Sequence, residues 1–200
     1  MPASVEPITG ELDLYPHVSA LRAGGVLACP TETQMGLLAD ALSESAVARV
    51  CELKGRPAGE ALSVIVPSLE QALRLVRDVS DQALRLARAH WPGPLTLVLR
   101  ARDGLPGALL KDGKLALRVP GPSPALALVR AFGGPLTATS ANESGRPPLS
   151  SAAELRATFG PALAGIVPGV PPGALASTIL DLTGARPLVL RQGAILIDPH

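Results

Sequence analysis

Four aromatic rings in 200 residues constrain this chain more than any other feature. One Trp, one Tyr and two Phe stand against a hydrophobic content of 47%. The core must therefore be built from Leu, Val, Ile and Ala. Side chains of that size reach interior density only when helices and sheet close directly on one another. The length fits one domain, 1–200, with a core over about 14–194. The 20 Gly and 21 Pro are dispersed between periodic segments, so they read as turns and not as low-complexity sequence.

Short apolar runs alternate with helical patterns. Strands are expected at 25–30, 62–66, 95–100, 115–119, 135–139, 179–182 and 188–191. Apolar residues at 46, 47, 50 and 53 predict a helix over 45–54 with one buried face, stopped by Gly55 and Pro57. Ser68 with Gln71 predicts a capped helix near 69–77; Ser80-Asp81 opens another to about His90. Residues 124–132 read as helical, and Ser151 with Glu154 is a second capping box. The strands outnumber the helices and do not alternate with them one for one. This predicts an α/β domain with a twisted mixed sheet and flanking helices around a large concave pocket.

Charge and cysteines narrow the partners. A net charge of +1 argues against a protein held to nucleic acid mainly by phosphate neutralisation, but leaves room for a locally basic cleft. Cys29 and Cys51 form no CxxC pair, which points to a reducing, cytoplasmic compartment. Glu6, Glu11 and Asp13 interrupt the first 20 residues, so no signal peptide is expected, and no apolar run is long enough to span a membrane.

The common nucleotide signatures GxxxxGK[ST] and GxGxxG are absent, as is a GxSxG elbow. His17, His90 and His200 are scattered, with no carboxylate at metal-ligand spacing. Four clusters remain. Pro30–Leu37 (PTETQMGL) follows a strand; its threonine hydroxyls suit a polar ligand, with Glu32 orienting them, or form an ordinary turn. Lys54-Gly55-Arg56 puts two cations at a helix end, to grip phosphate or merely to complement the helix dipole. Thr137–Gly145 (TATSANESG) offers Ser140 and Asn142 to phosphate oxygens, or is a polar turn. Arg118 and Arg191 each interrupt an apolar strand and need an anionic partner, either a protein carboxylate such as Asp181 or a ligand. Ser177-Thr178 adds hydroxyls nearby.

In order, PTET, KGR, WPGPLTLVL, LRVP, TSANESG, ST-hydrophobic-Asp and LRQGA run from about Leu21 to Ala194. This series resembles the YrdC-like family of threonylcarbamoyl-adenylate synthases along nearly the whole chain. The resemblance implies a twisted α/β domain with a positive concave surface. It implies synthesis of threonylcarbamoyl-adenylate from ATP, L-threonine and bicarbonate, with Mg²⁺ on the phosphates. The product would feed tRNA N6-threonylcarbamoyladenosine modification through proteins of the threonylcarbamoyl-transfer complex, with possible tRNA contact. Carried over by motif, Lys54, Arg56, Ser140, Asn142 and Arg191 face the nucleotide, Lys54 and Arg56 as the catalytic cations. Thr33, Arg118 and Ser177 hold the threonine. The chain departs from the family pattern at Met35 (usually Tyr), at Glu60-Ala61 (usually Asn-Pro) and at Pro148 (usually Ser or Thr). Glu60 beside a triphosphate would repel it. A nucleotide- or RNA-binding protein of the same fold without the reaction is the alternative. A carbamoyl-transfer module as found in hydrogenase-maturation proteins is disfavoured, because no acylphosphatase or zinc-finger segment is present in these 200 residues.

Overall fold

The computed structural model describes residues 13–56, 59–173 and 175–197. Glu6, Glu11, Pro57 and His200, which entered the sequence argument, lie outside them. In chain order the elements are α1 (Tyr15–Arg22), β1 (Leu27–Pro30), β2 (Met35–Leu38), α2 (Glu44–Lys54), β3 (Val64–Ile65), α3 (Leu69–Leu73), β4 (Val76–Arg77), α4 (Asp81–His90), β5 (Leu95–Ala101), β6 (Leu110–Lys111), β7 (Lys114–Arg118), α5 (Pro124–Phe132), β8 (Leu136–Thr137), β9 (Thr139–Ser140), α6 (Ala152–Phe159), β10 (Gly165–Ile166), β11 (Thr178–Asp181) and β12 (Leu188–Arg191).

The strands form two mixed sheets where the sequence suggested one. The smaller runs β10-β1-β2-β9; the larger runs β12-β11-β5-β7-β3-β8, with β4 on β5 and β6 on β7. The break lies at Ala138, inside the segment read as a single strand. On one side β8 pairs with β3 in the larger sheet; on the other β9 pairs with β2 in the smaller. Polar groups hold the crossing. Thr137, fully buried, accepts from the Ala39 amide at 2.9 Å and donates to the Leu37 carbonyl at 3.3 Å. Ser63 donates to the Ala138 carbonyl at 2.6 Å. No buried side-chain polar atom described at this step lacks a partner, and one short segment brings the edges of both sheets to the same cleft.

Helix starts follow local chemistry. Ser43, Ser68, Ser80, Ser123 and Ser151 each accept the backbone N–H three residues on, and only Ser151 with Glu154 completes a reciprocal box. Gly55 ends α2 in the left-handed conformation at φ 54°. The buried face of α2 carries Ala46, Val47, Val50 and Lys54, so the lysine, and not Leu53, completes the inward stripe. The helix expected over 69–77 stops at Leu73, because Val76 and Arg77 pair with Ala101 and Arg100 of β5. The core is aliphatic as composition required. Phe159 is its only buried ring among the described residues, and Trp91 packs from the margin while donating to the Leu95 carbonyl at 2.6 Å.

Candidate active site

The loop after β1 is a self-bonded turn. Thr31 Oγ1 accepts from the amides of Thr33 and Gln34, both at 3.1 Å, and donates to the Gln34 carbonyl at 2.7 Å. Thr33 Oγ1 lies 3.0 Å from Thr31 Oγ1 and faces the cleft. The hydroxyls are thus oriented by Thr31 and the backbone. Glu32, expected to do this, instead pairs with Arg118 of β7.

That ion pair answers the question of what partners Arg118. Asp181 is taken by Lys114 at 2.9 Å. Burial pulls the Arg118 guanidinium below its ordinary pKa, Glu32 raises it and nearby Arg191 lowers it again. It stays charged, as guanidinium does in proteins. Arg191 ends β12 and clamps Ser177: its Nε and Nη2 donate to the Ser177 carbonyl at 3.0 and 2.8 Å, and Nη2 reaches Ser177 Oγ at 3.1 Å. Gly193 makes this approach possible, since a Cβ there would stand 2.1 Å from the Ala176 carbonyl oxygen. Ser177 Oγ is also 2.9 Å from Thr96 Oγ1 on β5.

Lys54 is placed differently from its sequence neighbour. It is 3% exposed, and its ammonium donates to the Ser140 carbonyl, the Asn142 carbonyl and Asn142 Oδ1, each at 2.8 Å. All three N–H donors are used. Burial first, then Arg56, lowers its pKa to about 8. Ser140 Oγ donates to Asn142 Oδ1 at 2.6 Å, and Asn142 Nδ2 donates to the Arg146 carbonyl at 2.5 Å. Lys54 and Asn142 therefore knit α2 to the loop after β9 from behind. Arg56 stays on the cleft, with Nε on the Glu60 carbonyl and Nη2 on the Ala61 carbonyl, both at 2.9 Å. The Glu60 carboxylate lies 3.5 Å from Arg56 Nε, so this acid is already counter-charged.

These groups border one cleft of about 270 Å³. Of the residues singled out by sequence, Thr33, Arg56, Arg118, Ser140, Ser177 and Arg191 line it; Lys54 and Asn142 stand behind the loop that presents Ser140. Met35 also reaches the cleft wall. Sequence reasoning passed over Thr96 and Ser63, which line it too; Thr139, inside the TATSANESG cluster, joins them. Thr96 had a signal of the same kind as Arg118: one polar side chain inside an otherwise apolar strand. Three guanidinium groups around a hydroxyl-rich floor suit an anionic ligand carrying its own hydrogen-bonding groups.

A family model described as "Telomere recombination", which joins Sua5, YciO and YrdC, matches residues 19–193. The chain belongs to the Sua5/YciO/YrdC family. It is 42% identical over 156 residues to a threonylcarbamoyl-AMP synthase of Halorhodospira halophila, covering 76% of this chain and 81% of that protein. It is 38% identical over 180 residues to a threonylcarbamoyl-AMP synthase of Pyrococcus abyssi, covering 89% and 53%. The chain thus spans about half the length of the archaeal relative. Its fold matches a crystal structure of P. abyssi Sua5 complexed with L-threonine at a TM-score of 0.85 and 37% identity, over 90% of this chain and 54% of that one. The mixed α/β architecture expected from sequence is that of this Sua5/YciO/YrdC group.

Proposed function

We propose that the cleft binds ATP, L-threonine and bicarbonate and forms threonylcarbamoyl-adenylate, releasing pyrophosphate. The observation that carries this reading is the convergence of Arg56, Arg118 and Arg191 on one cleft floored by Thr33, Thr96 and Ser177. Several relatives bear the name of this synthase, and the P. abyssi protein was crystallised with L-threonine.

The roles follow the motif resemblance. Arg118 takes the threonine carboxylate, with Thr33 and Ser177 on its polar groups. Arg56, Ser140 and Arg191 face the nucleotide phosphates. Lys54 and Asn142 hold the Ser140 loop in shape and place a positive charge beneath it. The threonine amine and bicarbonate give a carbamate and water; the carbamate oxygen then attacks the α-phosphorus and pyrophosphate leaves. Positioning and charge stabilisation suffice for this chemistry, and no protein nucleophile is required. Among the described residues no three His, Cys, Asp or Glu groups gather as a metal site. Mg²⁺ would enter with the ATP phosphates, as the family resemblance implies.

The product is suited to N6-threonylcarbamoyladenosine formation on tRNA, with the transfer left to partner proteins of that pathway. The two free cysteines fit a cytoplasmic setting, and no helix among the described residues is long and apolar enough to cross a membrane. The test is pyrophosphate release from ATP and Mg²⁺. It should require both threonine and bicarbonate. Tight ATP binding without such release would favour a nucleotide-binding protein of this family.

A further inference from the structure

Two hydroxyls on the cleft floor have protons that can be counted. Ser177 Oγ and Thr96 Oγ1 lie 2.9 Å apart, and either could donate to the other. A hydroxyl has one proton to give and two lone pairs to receive with. Arg191 Nη2 already donates to Ser177 Oγ at 3.1 Å, and a guanidinium only donates, so one lone pair of Ser177 is filled. The two hydroxyls share one further bond. One of their two protons is therefore left without a protein acceptor among the described residues.

Enclosure decides which proton that is. Thr96 is 2% exposed within β5, and Ser177, just before β11, is 7% exposed. A donor shut away from water with no acceptor is costly, and the cost is greater for the more enclosed group. Thr96 is thus the donor and Ser177 keeps its own proton. An acceptor arriving in the cleft reinforces the arrangement, because hydrogen bonds in a chain polarise one another.

Ser177 Oγ then has Cβ, Arg191 and Thr96 on three of its four directions, and its proton takes the fourth. The residue borders the cleft. Its main chain is pinned as well: the carbonyl receives two Arg191 donors, and the next amide, of Thr178, donates to the Pro94 carbonyl at 3.0 Å. With both lone pairs filled, Ser177 can give a hydrogen bond to a ligand but cannot receive one. An ammonium finds no acceptor there, whereas a carboxylate or hydroxyl oxygen finds a donor. Arg118 emerges beside it. Leu97 pairs with Leu117, so Thr96 and Arg118 follow as neighbours across β5 and β7, and both line the cleft.

We propose that Thr96 is a positioning residue for the amino-acid substrate: it donates to Ser177 Oγ and so commits Ser177 to donating to a substrate oxygen. The inference rests on the reading of this cleft as a threonine site. It deepens that reading by giving the Ser177 hydroxyl a direction, and it accounts for a polar side chain inside the apolar run LTLVL. Thr96 acts through Ser177 and does not itself hold the ligand.

A threonine that merely packs the strand would act independently of Ser177, so the test is a double-mutant cycle. L-Threonine is titrated by calorimetry into wild type, Thr96→Val, Thr96→Ser, Ser177→Ala and the double variant Thr96→Val/Ser177→Ala, with thermal melts and ATP binding as controls for an intact fold. Thr96→Val keeps the shape and loses the hydroxyl; it should weaken threonine about tenfold, the scale of one hydrogen bond. Thr96→Ser restores the hydroxyl and should bind within about twofold of wild type. In the Ser177→Ala background Thr96→Val should have no further effect. Unchanged binding in Thr96→Val or in Ser177→Ala, a Thr96→Ser as weak as Thr96→Val, or an undiminished effect of Thr96→Val in the Ser177→Ala background would each overturn the proposal. Should Thr96→Val not fold, Thr96→Ala takes its place in the cycle with the same outcomes. Wild type that binds ATP but not threonine would instead refute the threonine site itself.

Discussion

The Lys54 ammonium donates to both oxygens of Asn142, the backbone carbonyl and Oδ1, each at 2.8 Å. A lysine read from sequence as a phosphate ligand thus serves as the strut of the loop that carries Ser140. Replacing it by Met leaves the Asn142 carbonyl without a donor and Asn142 Oδ1 with Ser140 Oγ alone. We expect Lys54→Met to lose about 2–3 kcal/mol of stability, measured by urea unfolding, and to weaken ATP binding in calorimetry. A variant of unchanged stability would remove the strut role.

The same lysine predicts a pH response. Its folded pKa is about 8 against an ordinary 10.5, so the folded chain releases this proton first. Between those values the unfolded chain binds more protons, and the contribution of this group to stability rises with pH. The charge beneath the phosphate-facing loop is lost over the same range. ATP affinity should therefore fall as pH passes through about 8 in wild type, and this step should be absent in Lys54→Met. Calorimetric titration across that range checks both.

Arg118→Lys keeps the charge but removes the planar fork. The KM for threonine should rise on the order of tenfold to a hundredfold, with the KM for ATP nearly unchanged. Arg118→Ala should in addition unfold more easily by about 3–5 kcal/mol, because Glu32 is left buried without its cation. Steady-state kinetics and thermal melts separate the two effects.

Glu60 competes for Arg56 from a half-exposed position, its side chain 55% exposed. Such pairs are worth about 0–1 kcal/mol. Glu60→Asn, which restores the residue usual in the family, should tighten ATP binding up to about fivefold at low salt, and the gain should shrink as salt screens it. Looser binding would mean that Glu60 supports the site.

Gly193→Ala tests the Arg191–Ser177 clamp. The new Cβ would collide with the Ala176 carbonyl and with Ser177 backbone atoms. We expect a stability loss of about 1–3 kcal/mol and weaker threonine binding. Unaltered threonine binding would show that the clamp does not shape the site.

Sequence legibility followed locality. The starts of α3, α4 and α6 were readable because a serine three residues before a backbone donor is a local signal. The element β2 was read as loop because MGLL is short and follows a threonine-rich turn; only its pairing with β1 and β9 makes it a strand. The two-sheet split at Ala138 depends on Ser63 and Ala39, about 75 and 100 residues away, and is invisible locally. At the site, ordered motifs identified the cleft-lining arginines and hydroxyls. The inward turn of Lys54 was not legible, since a lysine at a helix end is ordinarily solvated. Nor was the Glu32–Arg118 pair, whose members are 86 residues apart.

The most direct measurement follows the carbon of bicarbonate. Protein is incubated with ATP, Mg²⁺, L-threonine and ¹³C-bicarbonate, and adenine-containing products are weighed by mass spectrometry. The account predicts a threonine-dependent adenylate that gains a single mass unit over its ¹²C counterpart, with pyrophosphate formed in equal amount. ATP consumed without label entering a nucleotide, or no turnover by a protein that binds both ATP and threonine, would contradict it.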